Sequence, residues 1–300
     1  MYTILGATGH TSSVVANKLL EQRKEVRVVG RDARKLAPLV SRGAEAFVAD
    51  ATDAEALGQA FAGAEAVYVL IPPNVTSDDV RGYQDHVTNA VAKAIETAKV
   101  KYAVVLSSFG ADKADKTGPV VGLHYLESKL SKISGLNALF LRAGYFMENF
   151  LAQVAIIRDF GMMAGPVRSD LALPMIATRD IGAVAADALV RLDFHGPHAH
   201  ELLGQRDLTY NEAARIAGTA IGKPALAYIE LPAEQVIQAM TGMGMSKNFA
   251  TLVCEMADAL NNGHMRPLET RSAKNTTPTS FEMFVQDSFL PAYKGQAASA

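Results

Sequence analysis

The chain has 300 residues, 49% of them hydrophobic and 20% charged, which supplies a sizeable core and excludes a disordered or fibrous polymer. Its 29 lysines and arginines against 31 acidic residues leave a net charge of −2, and the absence of any long basic run argues against a nucleic-acid partner. One cysteine, Cys254, excludes an internal disulfide, and no apolar run reaches the ~18–20 residues of a membrane span; a cytoplasmic protein with no membrane partner is expected.

Met1 leads within one residue into an apolar run at 3–5, so no signal peptide is expected. Gly6 cuts that run, and a segment with helical spacing follows, with Val15 and Leu19 on one face. A second strand is expected at 26–29, a helix at 31–39, a third strand at 46–48, a helix at 53–61, and a strongly apolar strand at 66–71 that Pro72 and Pro73 stop. A long helix is expected over 77–98, where Asp78 and Asp79 read as dipole-favoured residues of its first turn rather than as a catalytic pair. Strands at 102–107 and 138–141 complete a set of six that alternate with helices. Such strands pair in parallel through right-handed crossovers, and their lack of polar alternation fits a sheet covered on both faces.

After about residue 150 the alternation breaks. Helices are expected at 179–192, 210–221, 233–240, 248–261 and 280–290, with short strand candidates at 201–203 and 228–229 and a frayed tail at 295–300. The chain therefore divides into an α/β unit over 1–150 and a small, mostly helical substrate lobe over 151–300, which does not fold independently and some of whose segments rejoin the first unit.

The most informative segment is Gly6-Ala7-Thr8-Gly9-His10-Thr11-Ser12, directly after the first strand and before the first helix. Gly6 permits the tight turn, Gly9 admits a pyrophosphate to the backbone, and Ser12 is small enough for close helix–strand packing. The amides of Gly9, His10 and Thr11 then point at phosphates from a helix N-terminus. This is the context of a Rossmann-type doubly wound sheet that binds NAD(P). After the second strand stands Arg31, with Arg34 and Lys35 a turn further. A guanidinium there suits the 2′-phosphate, so NADP(H) is preferred over NAD(H), with Asp32 as the discordant residue. Asp50, Ile71 and Pro72 fall where adenine and ribose would be flanked.

With the glycine loop, Arg31, Val105-Leu106-Ser107-Ser108, Gly122-Leu123-His124, the run from Leu141 to Phe150 and Thr277-Pro278-Thr279-Ser280-Phe281-Glu282, the chain resembles the NmrA-like branch of atypical short-chain dehydrogenases/reductases over essentially its whole length. The resemblance implies a Rossmann domain with a small C-terminal lobe and NADP(H) as cofactor. It implies either an NADPH-dependent reductase of quinones or dyes acting on a small-molecule acceptor, or a redox-sensing regulator with a protein partner; a homodimer stays open.

The wider superfamily uses a serine, a tyrosine and a lysine four residues after the tyrosine. Tyr125 and Lys129 have that spacing, which puts both on one helix face, and Ser107 and Ser108 end the preceding strand. Ser107, Tyr125 and Lys129 are thus the catalytic candidates for carbonyl or sugar-nucleotide chemistry, with Ser107, Ser108 and Lys129 also cofactor candidates. NmrA-like members mostly lack the tyrosine, and a quinone needs no such proton relay because hydride addition gives a stabilised phenolate that water protonates, which favours a simple hydride-transfer site. There Tyr145 and Phe146 stack on nicotinamide or a flat substrate, and His124, Phe146 and Asn149 meet the substrate, Asn149 alternatively capping a helix. His195, His198 and His200 read as solvated loop histidines rather than metal ligands, Met240, Met243, Met245, Met256 and Met265 as core or a plastic lid, and Cys254 as buried and inert.

Overall fold

β1 (Tyr2–Leu5), α1 (His10–Glu21), β2 (Val26–Gly30), α2 (Ala33–Val40), β3 (Glu45–Val48), α3 (Ala54–Phe61), β4 (Ala66–Val69), α4 (Val80–Ala98), β5 (Tyr102–Ser108), α5 (Val120–Leu130) and β6 (Asn137–Ala143) alternate without a break in the computed structural model. It describes residues 1–296; the end of the tail expected to fray lies outside them. Side chains set the starts of α2, α3 and α4. Asp32, Asp53 and Asp79 each accept a backbone N–H of the following turn, so α2 and α4 begin two and three residues later than periodicity predicts. Asp79 is the cap of α4, its Oδ1 accepting from Gly82 N at 2.8 Å.

The second half runs through β7 (Tyr145–Phe146), a 3-10 helix (Met147–Ala152), α6 (Gln153–Phe160), β8 (Met163–Gly165), β9 (Leu173–Ile176), α7 (Thr178–Arg191), β10 (Pro197–Leu202), β11 (Arg206–Leu208), α8 (Tyr210–Ala220), β12 (Tyr228–Glu230), α9 (Ala233–Gly242) and α10 (Lys247–Asn261). It closes on α11 (Phe281–Phe284), a π-helical turn (Val285–Phe289) and α12 (Leu290–Tyr293).

Among the described residues the main sheet has seven strands, not six, in the order β10-β6-β5-β4-β1-β2-β3, and every pairing is parallel. The extra strand is β10, which pairs with β6 from Pro197↔Ala138 to Leu202↔Ala143. The histidines expected in a loop therefore lie on or beside an edge strand. His198 is exposed, whereas His200 is half-buried and its Nε2 lies 3.2 Å from the Lys274 carbonyl.

Two apolar layers hold the sheet. Ile4, Val28, Tyr68 and Val104 meet α1 and α7 through Val15, Leu19, Ile181 and Leu189. Leu5, Val29, Val69 and Val105 meet α3, α4 and α5 through Phe61, Val91, Leu126 and Leu130. Both faces are covered, which is why the strands carry no polar alternation. Helix α7 packs so closely on α1 that a Cβ on Gly182 would lie 2.8 Å from the Thr11 carbonyl oxygen. Segments from beyond residue 150 thus complete the first layer.

The remainder forms a lobe around a three-stranded sheet (β11-β9-β7) and a two-stranded one (β12-β8). Aromatic rings fill it: Phe150 lies 5.0 Å from Phe281 and 5.1 Å from Tyr210, which is 4.4 Å from Tyr228. The lobe is tied over the carboxyl ends of the strands. Ser246 Oγ donates to the Ser77 carbonyl at 2.5 Å, and Val80 N donates to Asn248 Oδ1 at 3.0 Å. Buried Met265 packs against Gly110, whereas Met243 is 57% exposed, so the methionines form no single cluster. Burial pushes the Cys254 thiol up, in keeping with an inert residue.

Candidate active site

The strand order reverses between β1 and β4, and the loops that follow them flank the crevice where ligands of open α/β sheets sit. Gly6 takes the left-handed conformation (φ +64°), and a Cβ there would also lie 3.3 Å from Leu70 Cδ1. The Gly9 amide donates to the Gly6 carbonyl at 2.8 Å. It is therefore occupied inside the turn, contrary to expectation, and the open amides of α1 are those of His10, Thr11 and Ser12. Gly9 caps α1 without a side chain, and the first turn holds no acidic residue, so the positive end of the helix is left for a ligand. Thr8 and His10 are exposed. Thr11 is buried with its hydroxyl beside Tyr68, whose phenol burial pushes far up. Ser12 Oγ donates to the Leu5 carbonyl at 2.9 Å and pins α1 to β1.

Arg31 is exposed just beyond β2. The discordant Asp32 is withdrawn: its Oδ1 accepts Arg34 N at 2.9 Å, and its Oδ2 pairs with the Arg34 guanidinium at 3.2 Å. These bonds hold the Asp32 carboxyl below its usual range. Ala49 N donates to the Gly30 carbonyl at 3.1 Å, which brings Asp50 beside Arg31. Asp50 Oδ1 accepts Thr52 N and Oγ1 at 2.9 and 2.7 Å, and these bonds together with the Arg31 charge depress its carboxyl. Half-buried Tyr83 of α4 shares this corner; burial and the Asp50 charge raise its phenol. Ile71 and Pro72 are half-buried at the mouth of β4.

At the other end of the crevice the structure does not bring Ser107, Tyr125 and Lys129 together. Ser107, 2% exposed, donates to Glu127 Oε1 at 2.5 Å, and Arg142 holds the same carboxylate in a fork at 3.0 and 2.6 Å. Glu127 thus faces the sheet. Residues on a helix advance by ~100° each, so Tyr125 faces away. Its hydroxyl donates to Asn89 of α4 at 3.1 Å, and the Arg81 guanidinium lies 5.4 Å from its ring centroid. Tyr125 and Lys129 line an outer groove of about 370 Å³ with Ala92, Glu96, Lys132 and Ile133. The i,i+4 spacing holds, but on the side of α5 remote from the sheet. Ser108 Oγ donates locally to the Phe109 carbonyl.

His124 lies elsewhere on α5, half-buried, with Nδ1 2.9 Å from the Ala111 carbonyl in the loop after β5. Tyr145 and Phe146 alternate on β7 and so point opposite ways: Tyr145 packs on the lobe core and Phe146 on the sheet core. A single flat ring cannot stack on both. Asn149 is exposed within the 3-10 helix, whose N-cap is Phe146, so it is no cap, and burial raises the phenol of nearby Tyr145.

The model of the NmrA-like family matches residues 2–285. The chain belongs to the NmrA-like family. Among relatives, it is 31% identical over 258 residues to a protein named NAD(P)H azoreductase from Xenophilus azovorans, covering 85% of this chain and 86% of that one. Two solved structures share the fold. The Escherichia coli NADPH-dependent quinone oxidoreductase complexed with NADPH superposes with a TM-score of 0.80 at 23% identity, over 96% of this chain and 100% of that chain. The Citrobacter sp. triphenylmethane reductase complexed with NADP(H) gives 0.74 at 18% identity, over 95% and 99%.

Four residues of this NmrA-like chain that shape the site escape a reading of the sequence. Glu127 locks α5 to β5 and β6. Glu148 accepts Thr178 N and Oγ1 at 3.0 and 2.6 Å, fastening the segment after β6 to the start of α7. Tyr83 joins the Arg31 corner, and Asn248 reaches α4 from the lobe. Only Glu127 carried a signal, as a carboxylate on the apolar face of its helix among Leu123, Leu126 and Leu130. The arrangement offers the amides of a helix N-terminus and a guanidinium at one end of a crevice, and an imidazole between sheet and lobe at the other.

Proposed function

We propose that the protein is an oxidoreductase that prefers NADPH and transfers hydride to a quinone-like or other flat, electron-poor acceptor. The observation that carries this reading is the open end of α1 beside an exposed Arg31 whose neighbour Asp32 is occupied by Arg34. The residues fit a dinucleotide: the His10, Thr11 and Ser12 amides take its pyrophosphate, and Arg31 a 2′-phosphate. Asp50, Tyr83, Ile71 and Pro72 flank the adenosine. The reduced nicotinamide, when bound, supplies the hydride. Phe146 and the lobe above β7 exclude water from the reacting end. The relative named an azoreductase and the fold neighbours named for quinone and dye reduction support an acceptor of this shape.

Carbonyl or sugar-nucleotide chemistry through Tyr125 and Lys129 finds no support in the geometry, since Tyr125 bonds α4. NADPH consumption with a panel of quinones, azo compounds and cationic dyes tests the proposal. Steady turnover is expected with at least one class, and Tyr125→Phe should retain it. Tight NADPH binding with no turnover of any acceptor would instead favour a cofactor-sensing regulator with a protein partner.

A further inference from the structure

We propose that His124 is the proton donor to the reduced acceptor, and that the site is thereby suited to acceptors, such as azo compounds, whose reduction needs a proton as well as a hydride. The inference rests on the oxidoreductase reading above. A carbonyl oxygen can only accept, so the 2.9 Å contact with Ala111 fixes the proton of the ring on Nδ1. Nε2, which has no protein partner among the described residues, is then the nitrogen free to hold and deliver a second proton.

Its position is set by two cores. Phe109, Ala111 and Val120 belong to the lobe core, whereas Leu126 and Leu130 further along α5 belong to the core beneath the sheet. Leu123, next to His124, packs against both. His124 therefore stands at the seam between lobe and sheet, one helical turn before Glu127, whose carboxylate meets Ser107 near the end of β5. Tyr125, one residue on, is turned out to α4. Of the titratable side chains at this part of α5, the imidazole is the one directed neither into the Ser107–Glu127–Arg142 cluster nor into the outer groove.

The chemistry separates acceptors by their need for this proton. With an azo compound, hydride adds to one nitrogen, the N=N π bond breaks, and the pair of electrons left on the second nitrogen takes the Nε2 proton. The product is a hydrazo compound and neutral His124, which regains its proton from solvent. A quinone yields a stabilised phenolate that water can protonate. A cationic triarylmethane dye takes hydride at carbon and becomes neutral with no proton at all.

His124→Phe should therefore lower the ratio of azo to cationic-dye turnover by about 10²-fold or more, with quinones between. A second readout needs no reductant: adding an azo dye to the protein should shift one imidazole Nε2 resonance, the one missing from His124→Phe. Should the phenylalanine variant unfold, His124→Gln replaces it in both experiments. Equal losses with azo compound and cationic dye would mark His124 as merely structural, and unchanged azo turnover would exclude it as the donor. If the wild-type protein turns over no acceptor, the oxidoreductase reading fails and the resonance decides alone: without a shift at His124, the imidazole does not meet the acceptor.

Discussion

Glu127→Ala is expected to lower the free energy of unfolding by about 3–5 kcal/mol. The carboxylate is nearly buried and serves three groups at once: the Ser107 hydroxyl at 2.5 Å and two nitrogens of Arg142 at 3.0 and 2.6 Å. Ser107 and Arg142 are register partners on β5 and β6, so one side chain of α5 clamps two strands near their carboxyl ends. Alanine leaves the guanidinium, whose side chain is only 14% exposed, without its counter-charge. Urea unfolding gives the number. A double variant, Glu127→Leu with Arg142→Met, removes both charges and should recover much of the loss. A single variant with wild-type stability would show that the clamp contributes nothing.

Arg31→Asp is expected to shift cofactor preference from NADPH towards NADH by about 10- to 100-fold, the worth of a charge-assisted contact with a phosphate. The direction follows from the corner. Asp32 is tied to Arg34 and Asp50 is held by Thr52, so among the described residues neither carboxylate hydrogen-bonds the exposed Arg31 guanidinium. An aspartate would repel that phosphate and accept from a ribose hydroxyl instead. Initial rates against each dinucleotide, read as kcat/KM, measure the shift. An unchanged ratio would remove Arg31 from cofactor recognition.

Most of the half up to β6 was legible because local signals agree there. Apolar runs are punctuated by Gly6, Gly30 and the prolines after β4, and aspartates cap α2, α3 and α4. β10 was hidden by its place at the edge of the sheet: Pro197 and His198 are exposed, so its first turns of sequence resemble a polar loop. Only its last two residues, Glu201 and Leu202, are buried enough to leave a trace. The spacing of Tyr125 and Lys129 says that they share a face but not which one. The answer lay in Leu126 and Leu130, which mark the buried side and place the pair on the other. Asp32 looked like evidence against NADP(H) because a cap and a ribose ligand are the same residue type. Only the backbone shows which role it serves. Tyr83 and Asn248 were beyond reach, since their neighbours are fixed by how α4 and the lobe pack, not by anything adjacent in the chain.

The structure of the protein with NADP⁺ bound tests the central claim most directly. The pyrophosphate should lie on the His10, Thr11 and Ser12 amides, the 2′-phosphate on Arg31, and the nicotinamide at the seam beside His124. A dinucleotide held instead by Lys129 and Lys132 in the groove between α4 and α5, or no binding at all, would contradict it.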